Sequence, residues 1–231
     1  MISKGVSILE KISVVIVDDH PFFRQGVCLY FKKNEQVEIV EEFSNGTEVL
    51  DFLQEKHNKV DVVIMDLQMP GMNGGEATRK ICEQWPDIKV LVLTSYGSWD
   101  KVYSLLNSGA AGYLIKDANP DELAAAIKAV QTGGTYFGKQ VKEALLNKVN
   151  MNVTENNNQE KFSDLIEPLT DREVDVLKAI GQGLGNIEIA EKLYISKNTV
   201  KTHISHIFQK LNVNSRTEAA FYAMQKGLIE S

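Results

Sequence analysis

Cysteine is nearly absent from this chain: its 231 residues hold two cysteines, two tryptophans and five prolines. Cys28 and Cys82 lie in separate segments of helical periodicity. They read as small apolar side chains, and so few exclude a disulfide framework or a cysteine metal site. No apolar run approaches the roughly 18 residues of a membrane span. The opening MISKGVSILEK is broken by Lys4, Glu10 and Lys11 and lacks the apolar stretch of a secretory leader, so the expected location is the cytoplasm, with no membrane partner. Basic charge is also in short supply: 25 Lys and Arg against 31 Asp and Glu give a net charge of −6. That excludes a surface coated for nucleic acid but leaves room for one basic face. What is present is an ordinary globular composition, 43% apolar and 24% charged, in a length that accommodates two modest domains and shows no internal repeat.

From Ile12 to about Gln131 the chain alternates short Val- and Ile-rich runs with longer segments of helical spacing. The runs are ISVVIV (12–17), VEIV (37–40), VDVVIM (60–65), IKVLVL (88–93) and AAGYLI (110–115). Continuous apolar runs of this length read as strands buried on both faces. Helices are expected over Pro21–Lys33, Thr47–Lys56, Gly74–Gln84, Trp99–Ser108 and Pro120–Gln131. Parallel neighbours need crossover helices, so the pattern predicts an α/β fold with a doubly wound, five-stranded parallel sheet over 12–133. A connecting segment, 134–164, holds a further amphipathic helix at 139–149 and an Asn-rich polar stretch, NMNVTENNNQEKF, with too little apolar surface to fold. The remaining residues, 165–231, carry helical signals only.

In an open parallel sheet, ligands bind at the carboxyl ends of the strands. Those ends carry Asp18 and Asp19, then Asp66, then Thr94 and Ser95, then Lys116. A lone acid there is usually a turn former or helix cap, and a lone lysine is usually solvated. Three acids, a hydroxyl and a lysine converging on one edge are harder to obtain by chance. A hard cation such as Mg²⁺ would relieve the repulsion among the acids. The lysine and hydroxyl suit a phosphoryl group, and Asp66 is placed to attack phosphorus as a carboxylate nucleophile. Pro70-Gly71 and Asn73-Gly74 are turn formers that fold the following loop back over the site.

Segment by segment, VVIVDDH, VDVVIMDLQMPGMNG, VLVLTSY and GYLIKDA resemble the receiver domain of two-component response regulators, a flavodoxin-like fold. The resemblance implies that Asp66 is the phosphoacceptor and that Asp18 and Asp19, with Asp66 and the backbone carbonyl of Gln68, hold Mg²⁺. It further implies that Lys116 contacts the phosphoryl group, that Thr94 and Tyr113 form a switch pair, and that a sensor histidine kinase is the phosphodonor. No turnover enzyme is expected beyond self-phosphorylation and self-dephosphorylation at the aspartate. Two other classes share part of this pattern. A phosphatase or phosphotransferase would use Asp66 as a turnover nucleophile, but no second acid follows shortly to protonate a leaving group. A ligand-sensing regulator would share the C-terminal domain but not the acid cluster.

The C-terminal segment opens with the capping box Thr170-Asp-Arg-Glu173, carries a second at Ser215-Arg-Thr-Glu218, and offers Ser196 as a cap between them. Four helices result, including Asn186–Leu193, one starting at Lys197 and one over Arg216–Lys226. In the third, Val200, Ile204, Ile207, Phe208 and Leu211 share one face. Asn198, Thr202, Ser205 and Gln209 lie opposite, flanked by Lys201 and Lys210. Between Ser196 and Thr217 the charges are all basic, Lys197, Lys201, Lys210 and Arg216, which marks a phosphate-facing surface in an acidic chain. A charge run alone is commonly a solvated face. A scaffold helix, a short link at Tyr194-Ile195-Ser196 and a helix with small polar outer residues are helix-turn-helix features. The segment is similar to the LuxR-type helix-turn-helix domain, and the whole chain resembles the NarL/FixJ type of response regulator. That implies base contacts from Lys201, Thr202 and Ser205, and contacts of Lys197, Asn198, Thr199 and Lys210 with double-stranded DNA, its backbone in the case of Lys197, Asn198 and Lys210. Gly185, where Ser is usual, and Ile187, where a polar residue is frequent, depart from the pattern. A homodimer on inverted-repeat half-sites is expected once the receiver is phosphorylated, with the fourth helix, through Ala220, Phe221, Met224 and Gln225, as a pairing face.

Overall fold

The computed structural model describes residues 11–95, 106–155 and 168–229. Its sheet has six strands, β1 (Ile12–Val17), β2 (Val37–Phe43), β3 (Val62–Asp66), β4 (Lys89–Thr94), β5 (Gly112–Ile115) and β6 (Tyr136–Phe137), in the order β2-β1-β3-β4-β5-β6. Every pairing is parallel. The helices around it are α1 (Pro21–Phe31), α2 (Gly46–Lys56), α3 (Gly74–Gln84), α4 (Pro120–Gln131) and α5 (Lys139–Glu155).

Alternation along the strands sorts the core into two layers. Val15, Val17, Val63, Met65, Val90 and Val92 pack with Val49 and Leu53 of α2 and Ala77 and Ile81 of α3. Their neighbours Val14, Ile16, Val62, Ile64, Leu91 and Leu93 face the other way, onto Val27 and Phe31 of α1 and Leu123, Ile127 and Val130 of α4. Each such side chain contributes roughly 1.5–3 kcal/mol on burial, so the two-sided cover fixes the strand register. Asparagine caps set three of the helix starts: Asn45, Asn73 and Asn119 accept from the Glu48, Glu76 and Glu122 amides at 3.1, 2.9 and 2.8 Å.

The sheet departs from the expected five strands by one. Tyr136 and Phe137 pair with Gly112 and Tyr113, and two residues are too few to show a period of two. The helix expected over Trp99–Ser108 lies mostly outside the described residues. Helix α5 runs to Glu155, beyond the expected 139–149 and into the Asn-rich stretch. Asn carries only a modest penalty inside a helix already nucleated, so propagation overrides the polar composition.

Residues 168–229 form four helices, α6 (Asp171–Gly181), α7 (Asn186–Leu193), α8 (Lys197–Leu211) and α9 (Arg216–Gln225), around their own core of Val176, Leu177, Ile180, Ile189, Val200 and Ile207. Both expected capping boxes form, at Thr170/Glu173 and Ser215/Glu218. The two units meet along a backbone seam. Thr135 donates its amide to the Gly183 carbonyl at 3.3 Å and its hydroxyl to the Ile180 carbonyl at 3.3 Å. A Cβ on Gly185 would sit 2.4 Å from the Thr132 carbonyl oxygen, so the seam accounts for glycine at that position. At its other end Ser215 and Thr217, at the start of α9, donate to the Leu106 and Ala110 carbonyls, and Phe221 enters the core layer of the sheet.

Candidate functional site

The order of strands reverses at β1, with β2 on one side and β3 on the other, which opens a crevice at their carboxyl ends. Asp18 follows the last residue of β1 and Asp66 ends β3, where Val17 pairs with Met65. Register therefore sets the two acids side by side. Both are buried, and Asp19 is partly so. The loop after Asp66 closes over the site because Gly74 permits it: a Cβ there would fall 1.8 Å from the Asp66 carbonyl oxygen.

Lys116, one residue past β5, is fixed by its amide bond to the Thr94 carbonyl at 2.9 Å. Its ammonium lies 2.7 Å from Asp66 Oδ2 and 2.7 Å from Asp18 Oδ2, and 5.4 Å from the centre of the Phe23 ring. The Gln68 amide donates to Asp66 Oδ1 at 3.2 Å. Burial pushes the Asp66 carboxyl above its usual value despite Lys116 and the Gln68 amide, which act the other way. Burial opposes the charge on Lys116, yet the Asp18 and Asp66 carboxylates outweigh it and raise its pKa. The pair is thus held ionised by mutual contact, with an aspartate costly to keep charged.

Of the expected site residues, Asp18, Asp19, Asp66, Gln68 and Lys116 come together in this crevice. Thr94, at the end of β4, is fully buried, its hydroxyl 3.3 Å from the Ser95 carbonyl. Tyr113 is fully buried within β5, 3.3 Å from the Ser108 hydroxyl and stacked on Phe137, its ring centre 6.0 Å away. Burial pushes its hydroxyl far up, beyond the ordinary tyrosine range. Two further side chains join the site. His20 directs Nδ1 toward both Asp18 and Asp19, and Arg24 donates to the Asp18 carbonyl at 2.5 Å. The only sequence signal for either was position: His20 follows the two acids directly, and Arg24 comes one helical turn later.

In the C-terminal unit, Ser196 caps α8 by accepting from the Thr199 amide at 3.0 Å. Tyr194, in the left-handed region at φ 55°, makes the turn between α7 and α8. Val200 and Ile207 are buried, with Ile204, Phe208 and Leu211 packed against the same core. Lys197, Asn198, Thr199, Lys201, Thr202 and Ser205 are all exposed along the opposite side. Two basic residues of the run turn inward. Lys210, expected against a DNA backbone, donates to Glu173 Oε2 at 2.9 Å and the Pro168 carbonyl at 3.2 Å. Arg216 is anchored to Asn186 Oδ1 at 2.9 Å and the Leu184 carbonyl at 2.5 Å, and burial lowers its pKa to about 10. Of the pairing face expected of α9, Ala220 and Phe221 are buried within the chain, and Met224 and Gln225 are half-buried.

An acid and lysine crevice on a parallel sheet, joined to a helix-turn-helix unit, defines a switch domain coupled to a DNA-binding domain. Comparison with known proteins agrees. Residues 14–128 match the response regulator receiver domain, and residues 167–223 match the bacterial regulatory proteins of the luxR family. The chain belongs to the two-component response regulators with a LuxR-type DNA-binding domain, a family of transcriptional regulators. It is similar to the transcriptional regulatory protein DegU of Brevibacillus brevis, 38% identical over 95% of this chain and 96% of that protein. The oxygen regulatory protein NreC of Staphylococcus carnosus is 37% identical over 94% of this chain and 99% of its own length. Among solved structures, the response regulator ChrA of a heme-sensing two-component system is 34% identical, with a TM-score of 0.52 over 95% of this chain and 99% of that one. A structure of two RcsB dimers bound to two parallel DNAs matches at 25% identity, TM-score 0.54, over 94% and 99%. Among the described residues no helix is long and apolar enough to cross a membrane.

Proposed function

We propose that Asp66 is phosphorylated by a sensor histidine kinase, and that this modification controls how the chain dimerises and binds operator DNA. The observation that carries the reading is the Lys116 ammonium, which reaches from the end of β5 past β4 to lie 2.7 Å from both Asp66 and Asp18, at the ends of β3 and β1. An Asp66 carboxylate oxygen forms the bond to phosphorus as the phosphorus–nitrogen bond of the donor histidine breaks, its electron pair returning to the imidazole. Lys116 then trades a carboxylate partner for a phosphoryl oxygen, and Thr94 offers its hydroxyl to another.

The donor set fits a hard cation. Asp19 Oδ1 is buried and accepts no hydrogen bond, and Asp18 Oδ2 is buried against the Lys116 ammonium at 2.7 Å. Asp18, Asp19, Asp66 and the Gln68 carbonyl would hold Mg²⁺, which when bound neutralises the charge gathering on carboxylates and phosphoryl oxygens.

Loss of the Lys116–Asp66 contact reaches β5 and the Leu106–Ala110 segment, to which Ser215 and Thr217 are tied. Phosphorylation then favours an arrangement in which α9 leaves its own receiver and pairs with a second chain. Two copies of α8 read inverted half-sites, Lys201, Thr202 and Ser205 on bases and Lys197, Asn198 and Thr199 around the backbone. Moving a population from 1:99 to 99:1 takes about 5.5 kcal/mol of differential stabilisation. Incubation with radiolabelled acetyl phosphate and Mg²⁺ should label the wild type and leave Asp66→Asn unlabelled; equal labelling of the two would sink the assignment.

A further inference from the structure

We propose that His20 is a further protein ligand of the acidic cation site, and that it shifts the site toward cations that accept imidazole nitrogen, Mn²⁺ above Mg²⁺. The inference rests on the reading, given above, that this crevice holds a divalent cation. One ligand atom each from Asp18, Asp19, His20 and Asp66 lies within 4.8 Å of the other three. His20 Nδ1 is 2.8 Å from Asp19 Oδ1 and 3.2 Å from Asp18 Oδ1. Donors at adjacent corners of an octahedron with bonds of roughly 2.1 Å are about 3 Å apart, so both separations suit neighbouring ligands of one small cation.

A hydrogen bond spans the same distance, and the Asp18 Oδ1 contact has the geometry of one. The Asp19 contact differs. Asp19 Oδ1 is buried and accepts no hydrogen bond, although His20 Nδ1 is only 2.8 Å away. The approach therefore lacks the angle a hydrogen bond requires. Two donor atoms in contact without a hydrogen-bonding angle can share a third point, which is how lone pairs converge on a metal.

The backbone fixes the ring where it can serve. His20 is extended at φ −90°, ψ 105° ahead of Pro21, and its amide donates to Asp18 Oδ1 at 2.8 Å. The side chain is 67% exposed, at the mouth of the crevice where a hydrated cation enters. Mg²⁺ strongly favours oxygen and keeps its waters, whereas Mn²⁺ and later metals accept imidazole more readily. One nitrogen among carboxylate oxygens thus discriminates without closing the site to Mg²⁺.

The test uses the full chain and titrates Mg²⁺ and Mn²⁺ by calorimetry into wild type, His20→Ala and His20→Gln, the last retaining a polar side chain at the cap. Electron spin resonance of the Mn²⁺ form reads nitrogen coupling from a bound ring. The expected result is nitrogen coupling in the wild type only. Mn²⁺ affinity should fall by at least the roughly tenfold that even outer partners of a ligand contribute, in both variants. Mg²⁺ affinity should change by no more than about twofold. Wild-type Mn²⁺ binding without nitrogen coupling, or equal losses for both cations, would overturn the role of His20 while leaving the cation site intact. Absence of binding by either cation would overturn both readings together.

Discussion

Lys116 and Lys197 lie in the two units of the chain and are opposite in kind. The first is largely enclosed, held by two buried carboxylates, and gains a raised pKa from them. The second is exposed at the first turn of α8, with Ser196 and Thr199 engaged in the cap beside it. A buried, mutually satisfied charge stores a conformational preference that one covalent change can reverse. An exposed charge with no ion pair among the described residues is available to an external phosphate. Lys210 belongs with the first kind despite its place in α8, since Glu173 and the Pro168 carbonyl hold it. Residue type and local charge density do not separate these cases; the partner does.

The largest effect should come from the backbone of the buried region. In Gly74→Ala the new Cβ has nowhere to go but into the Asp66 carbonyl. Loss of about 3 kcal/mol or more is expected in denaturant melts, at the upper end for overpacked sites.

Next in size is the contrast between lysines. Lys210→Ala leaves buried Glu173 without its ammonium partner and should cost about 1–3 kcal/mol, with the salt dependence of DNA binding unchanged. Lys197→Ala should do the reverse: stability within about 0.5 kcal/mol and a salt slope lower by about one. A Lys210 variant that keeps its melting temperature but loses salt slope would merge the two classes and refute the contrast.

Smaller still is the response of Asp66→Asn. Burial raises the Asp66 pKa in the folded chain, so the ionised group weakens folding above both its folded and unfolded values, and the penalty vanishes below both. The variant should therefore melt higher than wild type at neutral pH, with the gain shrinking as pH falls into the carboxylate range. The change with the least effect inside either unit is Gly185→Ser, which forces a side chain against the Thr132 carbonyl at the seam between them. It should open the seam, seen as a larger radius of gyration in X-ray scattering, while α6–α9 keep their own helical signal.

How far the sequence carried depended on the range of the interactions. Strand-end acids, Lys116, the asparagine caps and both capping boxes were legible because each rests on residues a few positions apart or on strand register. The inward turn of Lys210 was not, since Glu173 lies 37 residues away. Nor was the burial of α9, because Ser215 meets Leu106 across 109 residues. Gly185 stood out only as a departure from a family pattern until the Thr132 carbonyl supplied its cause. Strand β6 escaped because two residues have no periodicity, and His20 because its bearing on the acids is a matter of angle.

The central claim is that phosphorylation at Asp66 is read at α8. Fluorescence anisotropy of a labelled operator fragment, with wild type and Asp66→Asn titrated in the presence and absence of acetyl phosphate and Mg²⁺, tests it most directly. The expected result is tighter binding by the wild type only when the phosphodonor is present, with no response from Asp66→Asn. The same gain in both proteins, or none in a wild type shown to be labelled, would contradict it.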